Sequence, residues 1–153
     1  MLDVLPKLLI ELRDDDAVDA IVHGRVRGYE PAPDTIDPNS GAVLEQGDAR
    51  GPGQYVAFVV LVRLDSPRDK RSVGQYPRIA VRCYGRTRPE AFALYAACSD
   101  ALHGRGPRIH NNGLGIYLSW DDTGSSQEKD PVTDQPYEEF IASLIATTQA
   151  VAS

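Results

Sequence analysis

The sequence has few cysteines and no long apolar run, and each shortage excludes a class of protein. Cys83 and Cys98 are the two cysteines of the chain, and their spacing matches no zinc-binding signature. We therefore expect buried free thiols, with no disulfide or metal needed to hold the fold. No apolar run reaches the roughly 18 residues of a membrane-spanning helix. The N-terminal segment MLDVLPKLLIELRDDD also lacks the basic region and cleavage site of a signal peptide, so we expect a soluble protein that is made in a cytoplasm and has no membrane partner.

Signatures of catalysis are equally scarce. The sequence contains no G-x-S-x-G elbow for a nucleophilic serine, no phosphate-binding P-loop and no H-E-x-x-H zinc motif. The three histidines, His23, His103 and His110, lie in separate segments without a second ligand at metal spacing. We interpret them as surface or capping residues, and His103 falls in the last turn of a predicted helix, where a cation is favoured. The sequence therefore predicts no enzyme, no catalytic or metal-binding residue and no cofactor.

Acidic residues in the last third of the chain are the remaining candidates for a cation site. Asp121 and Asp122 are adjacent, and Asp130 and Asp134 follow, but the oxygen ligands of a calcium loop need much tighter spacing. We interpret residues 121–135 as a solvated acidic loop. Trp120 directly precedes this loop and is either a core anchor or an aromatic residue of an interface.

Length and charge limit the domain organisation and the partners. A chain of 153 residues fits a single domain with one core, so we treat 1–153 as one domain. The net charge of −6 argues against a general nucleic-acid binder, which needs clustered basic residues to displace counterions from phosphate. Residues 29–53 are rich in turn-forming residues and poor in apolar ones, which predicts a long exposed loop or a protruding hairpin.

Apolar spacing and capping signals predict three helices. Leucines at helical spacing predict a first helix over 2–12, with Asp3 as its cap and Pro6 in its first turn. Residues 14–16 supply the start of a short second helix. Thr87 and Glu90 form a capping box for a long central helix, which ends at Leu102 with Gly104 just beyond.

Segments rich in β-branched residues predict the strands. The residues 55–64 and 78–83 form a hairpin with a long polar tip, and Asn112-Gly113 favours a tight turn between two further strands. The final segment, 136–150, fits both helical and strand spacing, and its β-branched residues favour the strand. The resulting fold class is α+β: a mostly antiparallel or mixed sheet, packed on one face by the N-terminal helices and the long central helix.

Two segments carry a resemblance to a known family. YPRIAVRCYGRTRPEAFALYAACSDALHGRG at 76–106, a strand after it, and DPVTDQPYEEFIASLIATT at 130–148 resemble the phage tail terminator or tail-completion family, minor tail proteins of long-tailed phages. The likeness is a pattern of elements: a strand that ends in an aromatic-small pair, a long helix, and a closing strand. It covers about two thirds of the chain, and the insertion at 29–53 departs from the shorter members.

The resemblance implies a structural role in a virion. Members of this family form a ring, usually of six copies, at the head-proximal end of the tail tube. The ring stops polymerisation of the tube protein and presents a face to the neck or connector protein, and phage DNA passes through its lumen without specific binding. We therefore expect this chain in the tail or neck of a particle, with the tube protein, the neck protein and copies of itself as partners.

An uneven distribution of charge suggests how copies meet. Residues 63–88 carry a net charge of +6 and residues 121–139 a net charge of −6. In a head-to-tail ring, complementary charge would steer one copy towards the next, so we expect the hairpin tip to approach the acidic loop of its neighbour. The alternative is that both segments are solvated faces of a monomer. The candidate interface residues are Arg68, Lys70, Arg71, Arg82, Trp120, Asp121, Asp122, Glu128 and Asp130.

Two other functions stay open from the sequence. Another head–tail connector or head-completion protein would also form a ring and would also lack catalytic groups. A small-ligand α/β enzyme or binding module is the alternative from a different class, because such sheets host many functions. An enzyme is expected to have a concave pocket with converging polar groups, whereas a terminator is expected to have flat, interface-like surfaces.

Overall fold

The computed structural model describes residues 4–28, 56–64, 76–109, 114–131 and 135–148. These residues form three helices and a seven-stranded sheet, which confirms the α+β class. The elements in chain order are α1 (Leu5–Asp14), α2 (Asp16–Val22), β1 (Val26–Arg27), β2 (Phe58–Arg63), β3 (Arg78–Tyr84), α3 (Arg88–Leu102), β4 (Arg108–Ile109), β5 (Leu114–Asp121), β6 (Ser126–Lys129) and β7 (Pro136–Thr148).

The closing strand β7 is the centre of the sheet. The strand order is β1-β2-β3-β7-β5-β4, and β6 pairs with β7 outside this path. β3 lies along one edge of β7, while β6 and β5 share the other edge, β6 beside its first residues and β5 beside its last. The pair β1–β2 is parallel and the other pairs are antiparallel. The preference for a strand in the final segment is therefore confirmed.

The helices pack on one face of the sheet, which we call the helix face. Alternate side chains of the strands point to it because successive residues of a strand face opposite sides. Phe140 of β7 is buried there together with Leu94 of α3 and Leu8 of α1. Cys83 and Cys98 lie in the same core as free thiols, as the sequence predicts. Burial, and then the neighbouring Cys98 thiol, raises the pKa of Cys83 well above its ordinary value.

The opposite face of the sheet, which we call the open face, has no described helix packed on it. Part of it is nevertheless buried: Phe58 and Tyr84 stack with ring centroids 4.4 Å apart, and Tyr137 follows at 4.6 Å from Tyr84. Val56 and Val60 complete this small apolar cluster. These residues occupy neighbouring strands in register, so the cluster crosses from β2 through β3 to β7.

The helix starts confirm some predicted caps and correct others. The side chain of Asp15 accepts a hydrogen bond from the Val18 amide at 3.1 Å, which confirms the second helix start. α1 begins after Val4, whose side chain makes no capping hydrogen bond, and the predicted cap Asp3 lies outside the described residues. Proline at the second helical position has no N–H, and the next amide, of Lys7, donates to the Val4 carbonyl, so a side-chain cap would find neither donor free.

The long helix α3 starts with half of the expected capping box. Thr87 Oγ1 accepts a hydrogen bond from the Glu90 amide at 3.3 Å, as predicted. The Glu90 carboxylate, however, accepts from the amide of Arg86, one residue before the expected donor. It also forms an ion pair with the Arg86 guanidinium at 2.7 Å, which explains why the carboxylate reaches further back. At the other end, Gly104 adopts a φ of +67°, as expected of a residue just beyond a helix.

The predicted loop at 121–135 is wrong in part. β5 continues to Asp121, and Ser126–Lys129 forms β6 against the first residues of β7. All four residues of β6 are exposed, so an apolar alternation that would have identified the strand is absent. The 29–53 segment, the hairpin tip and the Asn112-Gly113 turn lie outside the described residues. Among the helices of the described ranges, none has both the length and the apolar content to cross a membrane.

Candidate functional site

The candidate interface residues that the structure describes lie at several separate places on the sheet. Arg68, Lys70 and Arg71 lie outside the described ranges, in the segment that connects β2 to β3. Arg82 lies on the open face of β3, directly opposite Glu139 of β7, and its Nε donates to Glu139 Oε2 at 2.7 Å. A residue of the basic segment is therefore paired with a residue of the acidic segment within the same chain.

Asp121 belongs to a hydrogen-bonded network at the end of β5 and is not part of a solvated loop. Its Oδ2 accepts from the Tyr95 hydroxyl at 2.7 Å and from Ser99 Oγ at 2.9 Å, both on α3. Its Oδ1 accepts from the amide of Gly124 at 2.9 Å, and its own amide donates to Nδ1 of His103. The role of this residue in the fold is to fasten α3 to β5.

The same network shifts two pKa values in opposite directions. Burial alone would raise the pKa of Asp121, but the hydrogen bonds from Tyr95, Ser99 and two backbone amides stabilise its charged form and lower the pKa overall. The pKa of Tyr95 is raised, first by burial and then by its hydrogen bond to the Asp121 carboxylate. Both shifts keep the carboxylate ionised and the phenol protonated at neutral pH.

Trp120 and Asp122 lie on the open face. The side chain of Asp122 accepts from Ser143 Oγ at 3.0 Å and from Trp120 Nε1 at 3.4 Å. Trp120 is half-buried and is absent from the helix-side core, so it is not the core anchor of that layer. Leu118, two residues earlier on the same face, has 37% of its surface exposed.

Glu128 and Asp130 lie on and just after the short strand β6. Glu128 is exposed, and its carboxylate accepts a hydrogen bond from Ser126 Oγ at 2.8 Å. β6 pairs with the first residues of β7, whereas Leu64 and Arg78, which flank the basic connection, lie near the last residues of β7. Glu128 and Asp130 therefore lie at one end of the strands, and the basic connection between β2 and β3 joins the strands at the other end.

Two buried ion pairs were not expected from the sequence. Glu138 is fully buried on the helix face, and its Oε1 lies 3.7 Å from Nη1 of Arg88. The Arg88 guanidinium also donates to the carbonyl oxygens of Tyr137 and Glu128, so one side chain ties α3 to both β7 and β6. Glu138 lies two residues before Phe140 on β7, so both side chains point to the helix face. This two-residue period was the only signal in the sequence that could have predicted the burial of Glu138.

The second ion pair forms the floor of a cleft. Arg108 of β4 binds both carboxylate oxygens of Glu11 on α1, and its Nη2 donates to Ser119 Oγ at 2.8 Å. The cleft above it has a volume of about 490 Å³, and its walls carry the exposed side chain of Ile10 and the residues Asp14, Asp15, Asp16 and Arg105. Glu11 and Arg108 bind each other, so the exposed charged residues of this cleft are Asp14, Asp16 and Arg105.

Across the described residues, no three side chains of His, Cys, Asp or Glu come together as metal ligands would.

No protein-family model and no curated protein matches the chain. A solved structure does match: a chain of "Virion of native gene transfer agent (GTA) particle" aligns with 92% of this chain and with 91% of its own length. The TM-score is 0.64 at 18% sequence identity. The two chains share a fold.

Proposed function

We propose that this protein is a structural component of a phage-like particle and that it has no catalytic activity. The fold carries this proposal, because it matches a virion chain over nearly its whole length. The chemistry of the described residues supports it: Asp121 and Arg108 bind neighbouring elements of the fold, and the buried Glu138 lies 3.7 Å from Arg88 of α3. Their charges hold helices to strands, so they are not arranged to act on a substrate.

Within such a particle, the proposed role is that of a tail terminator. The protein would form a ring, of six copies as in the family that it resembles, at the head-proximal end of the tail tube. The ring would stop tube polymerisation, contact the neck or connector protein, and let DNA pass through its lumen. In support, the segments that carry the resemblance form β3, α3 and β7, which make up the centre of the fold.

Charge steering between copies remains part of the proposal, with fewer acidic residues than the sequence suggests. Arg82 and Glu139 are paired within one chain, and Asp121 is engaged with α3. Glu128 is exposed on β6, and Asp130 follows it; this is the acidic position that a neighbour's basic tip would approach. Reversal of the tip charges (Arg68, Lys70 and Arg71 to Glu) is expected to abolish assembly at low salt, and rings that survive it would contradict charge steering.

Tube length is the measurement that tests the terminator role. Tail tube protein of the same particle is polymerised with and without this protein, and electron microscopy gives the length distribution. A terminator is expected to shorten the tubes and to form a ring on one end of each. Light scattering of the purified protein is expected to give about 100 kDa for six copies of the 16.7 kDa chain.

The connector alternative predicts a different result from the same experiment. A connector or head-completion protein would leave the tube length unchanged, and its loss would leave finished tails unattached to heads. Tubes of unchanged length without bound protein, together with normal joining of heads and tails in its absence, would contradict both structural roles.

A further inference from the structure

One half of the open face is apolar where a solvated face would be polar. An antiparallel sheet with one side in water normally alternates apolar and polar residues. Here the open-face side chains of β5 and β7 include Leu118, Trp120, Ile141 and Ile145, which are exposed or half-buried. The polar side chain between the two isoleucines, Ser143 opposite Trp120, is buried and donates to Asp122. Leu118 is the direct neighbour of Ile145 across the two strands. We call the four apolar residues the open-face patch.

The outer side of α3 is apolar as well. A helix on the surface of a domain normally carries polar and charged residues on its solvent side. From Ala91 to Ser99 the helix has no charged residue, and its outward side chains are Phe92, Ala93 and Ala96. Phe92 is 54% exposed. α3 therefore shows an uncharged, mostly flat surface with one projecting ring.

These two surfaces lie on opposite sides of a two-layer domain. α3 packs on the helix face, so its outward side points away from the open face of the same chain. We propose that the open-face patch of one copy packs against the outward side of α3 in the next copy, so that the neighbour covers a face on which no described helix packs. This inference rests on the ring described under the proposed function. A contact between two different surfaces is heterologous, and it closes into a ring when the rotation permits.

The dimensions and the charges fit this pairing. α3 has 15 residues and is about 22 Å long, and the strands β2, β3, β7 and β5 together span about 14 Å between their outer axes. Asp100 is exposed at the end of α3 and Asp122 at the β5 border of the patch, whereas Arg86, just before the start of α3, is paired with Glu90. Repulsion between Asp100 and Asp122 therefore favours the start of α3 over β5 of the neighbouring copy.

The size of the contact predicts how assembly proceeds. A helix of this length covers less than the roughly 800 Å² per partner of a standard interface. One such contact is too small to hold a dimer, whereas each copy in a ring makes it twice. We therefore expect monomers and complete rings with no stable dimer between them. Apolar packing supplies the affinity and the charged tip the steering, and both can act between the same neighbours if the copies are offset along the strands.

Cross-linking through introduced cysteines tests the interface directly. The double variant Ala93→Cys/Leu118→Cys is treated with a short bis-maleimide at a concentration at which the wild type forms rings. The two sites lie on opposite sides of one chain, so a link between them joins two copies, and a ladder up to the ring size is expected. The native Cys83 and Cys98 are fully buried and do not react. The control Ile10→Cys/Leu118→Cys uses an exposed residue on α1, and it is expected to give no ladder.

A single substitution provides a second readout. Phe92→Glu places a carboxylate in the contact without a partner, and we expect the concentration for half-assembly to rise roughly tenfold or more. Phe92 is largely exposed in the single chain, so the melting temperature of the monomer should stay unchanged. The matched variant Ile10→Glu should assemble like the wild type.

Equal ladders in both cysteine variants, or normal assembly of Phe92→Glu, would overturn the interface and leave the ring intact. A wild-type chain that stays monomeric with and without tail tubes would contradict the ring itself.

Discussion

Arg108 is the residue whose loss should most weaken the helix layer of the fold. Its guanidinium binds Glu11 on α1, Ser119 on β5 and the carbonyl oxygens of Arg105 and Gly106. The side chains of Glu11 and Arg108 are only 6% and 12% exposed. The substitution Arg108→Met keeps the apolar volume and removes the charge, so it leaves the Glu11 carboxylate buried without its partner.

The expected magnitude follows from that unpaired carboxylate. Removal of one partner of a buried ion pair costs about 3–5 kcal/mol, a large part of the roughly 5–15 kcal/mol that stabilises a domain. With a urea dependence of about 2 kcal/mol per molar, the midpoint should fall by about 1.5–2.5 M. Trp120, the one tryptophan of the chain, reports the unfolding by its fluorescence.

A double variant distinguishes the loss of the ion pair from the burial of the unpaired Glu11 carboxylate. Glu11→Leu/Arg108→Met removes both charges, while Ser119 Oγ still donates to the Leu102 carbonyl at 2.6 Å. Replacement of a buried pair by apolar residues is often neutral, so the double variant should recover most of the lost stability. A single variant with the wild-type midpoint, or a double variant as unstable as the single one, would refute the reasoning.

Two further predictions concern the ends of β5 and β3. The pKa of Asp121 is lowered in the folded chain, so this residue stabilises the fold above its unfolded pKa of about 3.9 and loses that contribution as the pH falls through the folded pKa. Asp121→Asn should therefore lower the urea midpoint at pH 7 and have less effect at pH 3, whereas an equal effect at both would contradict the network. A Cβ added at Gly85 would lie 2.3 Å from the backbone nitrogen of Ala91, so Gly85→Ala should displace α3 and cost about 3 kcal/mol; a midpoint close to that of the wild type would show that α3 adjusts freely.

The final strand shows why local sequence patterns predicted the helices and strands better than the face of the sheet to which each side chain points. Phe140 and Leu144 face the helices, and Ile141 and Ile145 face the other way. Both sets are apolar because β7 is the central strand, so spacing alone fits a helix and a strand equally well. The β-branched residues decided in favour of the strand, since their side chains pack well on a pleated surface. β6 was missed for the opposite reason, because an exposed strand of polar residues carries no apolar period.

The side-chain pairings could not be predicted from the sequence because they depend on which strands and helices become neighbours. Arg82 and Glu139 are 57 residues apart, and Arg108 and Glu11 are 97 residues apart. The sequence shows all four as charged residues that prefer water. Asp121 was placed in a solvated loop for the same reason, although α3 supplies two hydroxyl groups to its carboxylate.

These pairings also change what charge contributes to assembly. The basic and acidic segments looked complementary between copies, but β3 and β7 are adjacent in one sheet, and Arg82 meets Glu139 there. Charge that is already paired cannot attract a neighbour strongly, and the exposed charges that remain are screened within about 10 Å at ordinary salt. Apolar surface is not screened in this way. An interface built on Phe92 and the open-face patch would therefore hold at physiological salt, with the remaining charges selecting which sides of two copies meet first.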